Sequence, residues 1–383
     1  MSERKRVTIR DVAQETGLAL STVSNALAGK NYVSDETREL VLKATERLGY
    51  RASVVARSLR MQRSFAIGVL IADVANPSSA DFVRGVEDVA MREKCTLLLC
   101  NTDGDEERQM AHMRTLIDRQ VDGIVLISQH CSSPRIRKLL EDGPPFVLVQ
   151  RRNEAFDEDY VGSDNVEGLS EAIRHVHDLG HRRVGFVRGP VDSSSARERL
   201  ETFQRQAAAL GLDLSEDLVF PGDYSFEGGI AAARYFLKMR RRPTCILASS
   251  DMSAIGVMQV ALDAGLAIPG DLSVVGLDDI ALAAVRSINL TTIQLQKRDM
   301  GIQAGELLVS RIKEPTRPAR QIILPTRLIV RASTAPPAAA AARPAPRSAA
   351  KAKAADAEHL LVPPKVAPAS AAGKGARRSS RSA

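Results

Sequence analysis

The stretch Thr8–Leu27, TIRDVAQETGLALSTVSNAL, decides how the rest of the chain is read. Ile9, Val12 and Ala13 recur at helical spacing, so a first helix has one apolar face. Thr8 stands as its N-cap, with Asp11 at the third helical position in a capping-box pattern. Gly17 allows the left-handed backbone that ends it. A second helix takes its apolar face from Leu18, Val23, Ala26 and Leu27, with Leu20, Ser21, Thr22 and Asn25 outside or at the edge. Two helices meeting across a glycine, the second with small polar residues on its free side, make a helix-turn-helix pattern. An ordinary helical hairpin carries the same local signature.

Outward from this pair, Gly29 to Asn31 form a turn and Ser34 caps a third helix, with Asp35 and Glu36 at its positive end. Leu40, Val41, Ala44 and Leu48 are its expected buried stripe, and Gly49 ends it. Residues 51–63, RASVVARSLRMQR, are basic and have no strand pattern. A two-turn helix from Ser53 to about Leu59 is marginal in water without a partner, so this segment is either a plain linker or one that folds on binding.

From Phe65 the texture changes. AIGVLIADV (66–74), CTLLLCNT (95–102), GIVLISQ (123–129), FVLVQ (146–150), RVGFVRG (183–189), CILASS (245–250) and SVVGLDD (273–279) are apolar runs alternating with amphipathic stretches. That alternation predicts an α/β core with parallel sheets covered on both faces. Polar residues close nearly every run, at the sheet edge where open α/β folds bind ligands. About 270 residues are too many for one simple sheet, so two lobes around a cleft are expected. The expected boundaries are 1–50 for an all-α headpiece, 51–63 for a linker and 64–334 for the core. Within the core, lobe 1 takes about 64–162 plus 292–322, and lobe 2 takes 163–291 plus 323–334. IILPTRLIV (322–330) reads as a final strand pair.

Charge is uneven along the 383 residues. Residues 1–63 hold 12 Lys/Arg against 7 Asp/Glu, residues 335–383 hold 9 against 2, and the body holds 32 against 37. Basic ends on a mildly acidic body point to nucleic acid as the partner of the ends. Residues 335–383 reduce to Ala, Pro, Lys, Arg and Ser, the composition of a disordered basic C-terminal tail. The charged start MSERKRVT has no secretory pattern and no apolar run is long enough for a membrane, which suggests a cytoplasmic, nucleoid-associated protein. Four scattered cysteines form no C-x-x-C pair. Walker A, G-x-S-x-G and H-E-x-x-H patterns are absent, so no enzyme, cofactor or metal is called for. His175, His177 and His181 are the nearest to a metal cluster, but the first two point to opposite sides of a helix.

TIRDVAQETGLALSTVSNALAGK, VSDETRELVLKATERLGYRAS and VARSLR resemble the headpiece and hinge of the LacI/GalR family of bacterial transcription regulators. NPSSADFVRGVE, QVDGIVLIS, VGSDNVEG, LGHRRVGFVRGP, SSSARERLETF, SSDMSAIGV, DLSVVGLDD and LTTIQ resemble that family's core, so the likeness spans about residues 7–331. It implies a homodimeric repressor of a pseudo-palindromic double-stranded operator, with a periplasmic-binding-protein-like core that binds an effector. By this resemblance Leu20, Ser21 and Asn25 read bases, while Thr8, Arg10, Thr22 and Ser24 hold phosphates. Leu59 wedges into the minor groove, flanked by Arg57 and Arg60. Ala19 replaces a capping serine, and Asn25 stands where arginine is frequent, which favours adenine over guanine. The implied effector site is Ser78, Ser79, Ser128, Gln150, Arg199, Tyr224, Ser250 and Asp278, and the implied effector is a sugar or sugar derivative. A carboxylated, phosphorylated or nucleobase corepressor is the alternative, because Arg151 and Arg152 follow a neutral Gln150. An exported solute-binding protein and a nucleoid-type architectural protein are the remaining readings.

Overall fold

The computed structural model describes residues 7–27, 30, 32–50, 63–153 and 157–338. The linker residues Arg57, Leu59 and Arg60 and the tail expected from 335 lie outside the described residues, apart from 335–338.

Three helices open the chain: α1 (Ile9–Thr16), α2 (Leu20–Leu27) and α3 (Asp35–Leu48). Asp11 Oδ2 accepts from both Thr8 N and Thr8 Oγ1, at 2.7 and 2.8 Å, so the first turn is closed as its sequence implies. Gly17 takes φ 67°, and Ser34 Oγ accepts from Thr37 N. Val12, Val23, Ala26, Val33, Val41 and Ala44 form the small shared core. Leu40 does not join it. It is 47% exposed, because the stripe runs through Val41, Ala44 and Leu48, and Leu40 lies about 100° round the helix from Val41.

Residues 66–329 build two six-stranded sheets. In chain order the strands are β1 (Ala66–Ile71), β2 (Thr96–Asn101), β3 (Gly123–Ile127), β4 (Phe146–Val149), β5 (Tyr160–Ser163), β6 (Val184–Arg188), β7 (Val219–Pro221), β8 (Cys245–Ala248), β9 (Ser273–Asp278), β10 (Thr291–Gln294), β11 (Gln321–Leu324) and β12 (Arg327–Ile329). Between them run α4 (Pro77–Arg92), α5 (Glu106–Asp118), α6 (Pro134–Glu141), α7 (Glu167–Asp178), α8 (Ser194–Ala209), α9 (Phe226–Leu237), α10 (Asp251–Asp263) and α11 (Lys297–Lys313). Lobe 1 has the order β11-β5-β4-β3-β1-β2 and lobe 2 the order β12-β10-β9-β8-β6-β7; every pair is parallel except β10 with β12. Buried clusters lie on both faces of each sheet, which is why the strands read as unbroken apolar runs.

The chain crosses between lobes three times, and two crossings differ from the expected places. β10 pairs in lobe 2 and β11 in lobe 1, so the crossings follow Gln294 and Leu324 and do not fall at 292 and 323. The IILPTRLIV segment is therefore no strand pair: its halves enter different sheets on either side of Pro325 and Thr326. Thr326 ties two crossings together, donating from Oγ1 to Asp164 O (2.8 Å) and accepting from Gly168 N (3.0 Å).

Helix pairs in both lobes approach at glycines. A Cβ on Gly85 of α4 would lie 2.2 Å from Arg298 O of α11, and one on Gly229 of α9 would lie 2.0 Å from Ser253 O of α10. The first of these approaches sets the position of α4, whose first turn carries Ser78 and Ser79.

Candidate effector cleft and headpiece

The carboxyl ends of the strands of both sheets face one another across a cavity of about 530 Å³. All eight residues expected at the effector site line it: Ser78, Ser79, Ser128 and Gln150 from lobe 1, and Arg199, Tyr224, Ser250 and Asp278 from lobe 2. Ser128, Gln150, Tyr224 and Asp278 all hold positive φ, at 55°, 68°, 70° and 132°. Non-glycine residues adopt such backbone at a cost, and here it turns each chain sharply off a strand end.

Arg199 is 5% exposed and enters from α8. Its Nε donates to Asn165 Oδ1 (2.8 Å) and Nη1 to Ser249 O (3.3 Å), and its guanidinium carbon lies 6.0 Å from the Tyr224 ring centre. The Tyr224 ring lies over Gly189, where a Cβ would come 2.1 Å from it. Tyr224 Oη and Ser249 Oγ are buried, with no hydrogen-bond partner among the described residues. Ser250 has a different task from ligand contact alone: its Oγ accepts from Ser253 N (3.1 Å), capping α10, and bonds Tyr224 O (2.9 Å). Gln150 turns its amide toward Ser163 and Met300, while its carbonyl accepts from Ser195 Oγ of lobe 2.

Beneath the cleft two carboxylates share the floor. Asp251 receives Thr292 Oγ1 and Ile280 N, at 2.5 and 2.9 Å. Burial, reinforced by Asp278, raises the Asp251 pKa. Burial also raises that of Asp278, against the attraction of Lys297 and Arg199 and a hydrogen bond with Ser78 across the cleft. A carboxyl held above its unfolded pKa binds a proton more tightly in the folded state, so its share of stability falls as pH rises from the ordinary Asp range through neutrality. Urea titrations between pH 4.5 and 8 should show this loss in the natural chain, and Asp251→Asn should flatten it; equal slopes for both proteins would remove Asp251 as its source.

Further lining residues lie outside the eight expected at the effector site. His130 bonds Asp192 across the mouth (Nδ1 to Oδ2, 2.7 Å), and Arg151 lies 3.5 Å from the same carboxylate. Asn76, Phe82, Asp103, Ser193, Ser195 and Leu295 also line the cavity. Asn76 caps α4 and His130 follows its strand run directly, which is the signal that marks them; Asp192 sits in a loop with no pattern of its own, and Ser195 in the first turn of α8.

In the headpiece, Leu20 and Ser21 are exposed, as are Thr8 and Arg10, while Thr22, Ser24 and Asn25 are half-buried. Leu20 is 44% exposed, as Leu40 and Leu42 of the same headpiece also are to a similar degree. Ala19 offers no side-chain oxygen to the start of α2. His175, His177 and His181 do not converge: their ring nitrogens meet Thr334, Asp178, and Thr244 with Ala335. Among the described residues no helix is long and apolar enough to cross a membrane.

A helix-turn-helix headpiece joined to a two-lobed polar cleft defines a ligand-controlled DNA-binding regulator. Residues 8–53 match the model for bacterial regulatory proteins of the lacI family, and residues 173–334 that for a periplasmic binding protein-like domain. The chain is 34% identical over 328 residues to the ribose operon repressor of Escherichia coli K12, covering 85% of this chain and 99% of that one. It is 32% identical over 327 residues to the HTH-type transcriptional repressor PurR of Photobacterium profundum, covering 85% and 98%. Among solved structures, the transcriptional regulator CelR–cellobiose complex superimposes with a TM-score of 0.66 at 28% identity, covering 86% of this chain and all of that one. The chain belongs to the LacI family of bacterial transcription regulators. It is a sequence-specific DNA-binding regulator whose operator affinity answers to a small molecule held between its lobes.

Proposed function

We propose that the protein is a homodimeric cytoplasmic repressor whose effector is a sugar or sugar derivative. The observation that carries the effector class is the presence of Arg199, Asp278 and the Tyr224 ring in one cleft, with Arg199 near the ring and the rest of the cleft rich in serine hydroxyls. A guanidinium fork, a carboxylate and a ring face suit the vicinal hydroxyls and apolar face of a sugar. The cellobiose bound in CelR supports the same class. An anionic effector is less well served, because the two arginines that favour it are engaged: Arg151 with Asp192 and Arg152 with Glu198.

On the DNA side, Leu20, Ser21 and Asn25 are the proposed base readers, and Thr8, Arg10, Thr22 and Ser24 the phosphate contacts. The wedge role of Leu59 between Arg57 and Arg60 rests on the sequence alone. Ligand binding shifts the balance between two lobe arrangements and so the operator affinity.

Thermal-shift titration of the full chain with ribose, glucose, cellobiose, hypoxanthine and glucose 6-phosphate tests the effector reading. A neutral sugar should raise the melting temperature and change protection of a selected operator fragment. Stabilisation by hypoxanthine or the phosphate alone would replace it with the corepressor reading.

A further inference from the structure

The first and last described segments of the core, at Ser64–Phe65 and Ser333–Ala335, lie at opposite poles. Because the carboxyl ends of both sheets face the cleft, the amino ends of their strands mark the outer poles. The headpiece side enters at the pole of lobe 1, where Asp122 accepts from Ser64 N (2.6 Å) and Phe65 N (3.2 Å) and pairs with Arg63. The last described segment crosses the pole of lobe 2. There Ser333 Oγ donates to Val274 O (2.6 Å), Ala335 N donates to Ser273 Oγ (3.1 Å), and His181 Nε2 donates to Ala335 O (3.0 Å). Residues 339–383, which follow, carry 9 Lys/Arg against 2 Asp/Glu.

The same pole carries a basic corner of its own. Lys238, Arg240 and Arg241 are exposed and Arg242 half-exposed, in the loop between α9 and β8. This loop adjoins the departing chain: Arg183 Nε donates to Arg241 O (2.8 Å), and Thr244, just beyond, meets His181 Nδ1 (2.8 Å). Among the described residues none of these four cations has an ion pair. Of the acids at this pole, Asp213 and Asp217 pair with Arg183 and Asp178 with His177, Asp263 accepts from Gln259 Nε2 and Asp271 from Ala267 N, and Glu216 is exposed. Exposed cations clustered on one edge form the electrostatic footprint of a polyanion contact.

We propose that this pole of lobe 2 is a second DNA-binding surface. It takes a duplex by its phosphates without reading sequence, so that one molecule holds its operator at one pole and a separate DNA segment at the other. Nothing in the operator reading requires this surface, and none of its residues belongs to the headpiece or the cleft.

The test is a bridging assay on the full chain. A duplex selected on the protein from a random pool is fixed to beads, loaded with protein, and offered a labelled duplex of unrelated sequence. The natural chain should capture the label, with capture falling steeply as salt rises. Substituting Lys238→Ala, Arg240→Ala, Arg241→Ala and Arg242→Ala together should reduce capture at least tenfold, with the protein retained on the beads and its melt unchanged. The salt slope should become shallower by about 0.9 for each phosphate that the variant no longer neutralises. A chain ending at Ala338 should also capture less. Capture that survives the fourfold substitution overturns the proposal, whatever the truncation does. Tighter binding of phosphatidylglycerol vesicles than of the duplex would also overturn it, in favour of a lipid surface. Should the fourfold variant melt early, Arg240→Glu with Arg241→Glu supplies the same readout.

Discussion

Replacing Arg199 by leucine is expected to weaken effector binding by about 100- to 1,000-fold while leaving effector-free operator protection intact. The guanidinium holds Asn165 Oδ1 and Ser249 O, lies near the Tyr224 ring, and is one of two cations that counter Asp278. Its removal strips charged hydrogen bonds from the ligand and leaves the Asp251–Asp278 floor with Lys297 as its remaining cation. Removing one partner from such a buried charged set costs about 3–5 kcal/mol. Part of that cost falls on stability, so the Leu variant should also melt lower, and more so at higher pH. Arg199→Lys separates the two contributions: it restores a charge but not the planar fork, so stability should recover further than affinity. Calorimetry with the sugar that most stabilises the natural chain provides the measurement. Unchanged affinity in the Leu variant would place the ligand elsewhere in the cleft.

Gly85→Ala is expected to destabilise lobe 1 by about 3 kcal/mol, a large effect for one added methyl. The new Cβ would stand 2.2 Å from Arg298 O, 2.8 Å from Ile302 N and 2.9 Å from Gly301 Cα. All three are backbone atoms of α11, so no side chain can rotate away and the helices must separate by about an ångström. Because α4 begins at the cleft, that shift also moves Ser78, whose hydroxyl meets Asp278 across it. Gly270→Ala is the control: its Cβ meets only the Ala267 methyl, at 3.4 Å, and should be neutral. Denaturant midpoints of the two variants decide the matter; equal midpoints would mean that α4 and α11 are not locked together.

Much of this architecture was legible in the residues because it rests on local rules. The headpiece helices follow their caps and glycines, and seven strands follow unbroken apolar runs. The two misplaced crossings have a common cause. Thr291–Gln294 and Gln321–Leu324 are short, and their sheet membership depends on partners far away in sequence, which periodicity does not encode. The same holds for Tyr160–Ser163, which carries too few residues to announce a strand. The eight expected cleft residues all line the cavity: Ser128, Gln150 and Asp278 stand at strand ends, Ser78, Ser79 and Ser250 in the first turns or caps of helices, Arg199 within α8, and Tyr224 in a loop. The His130–Asp192 contact joins two loops from different lobes, and only the folded chain reveals it. Leu40 shows the converse limit: an apolar residue beside a stripe is not in it unless the helix phase agrees.

The three strand crossings have a mechanical consequence. Thr326 pins the first crossing to the third, at Asp164 O and Gly168 N, and Gln296 beside the second donates to Pro325 O at 3.2 Å. Crossings stapled side by side resist sliding and leave rotation about their common line as the softest motion. Each lobe then behaves as a lever whose fulcrum lies beside the ligand and whose long arm ends at a pole. A small closure around an effector becomes a larger sweep where Asp122 grips Ser64 and Phe65. The ligand's grip of a few ångströms is thereby geared up before it reaches the DNA-reading headpiece.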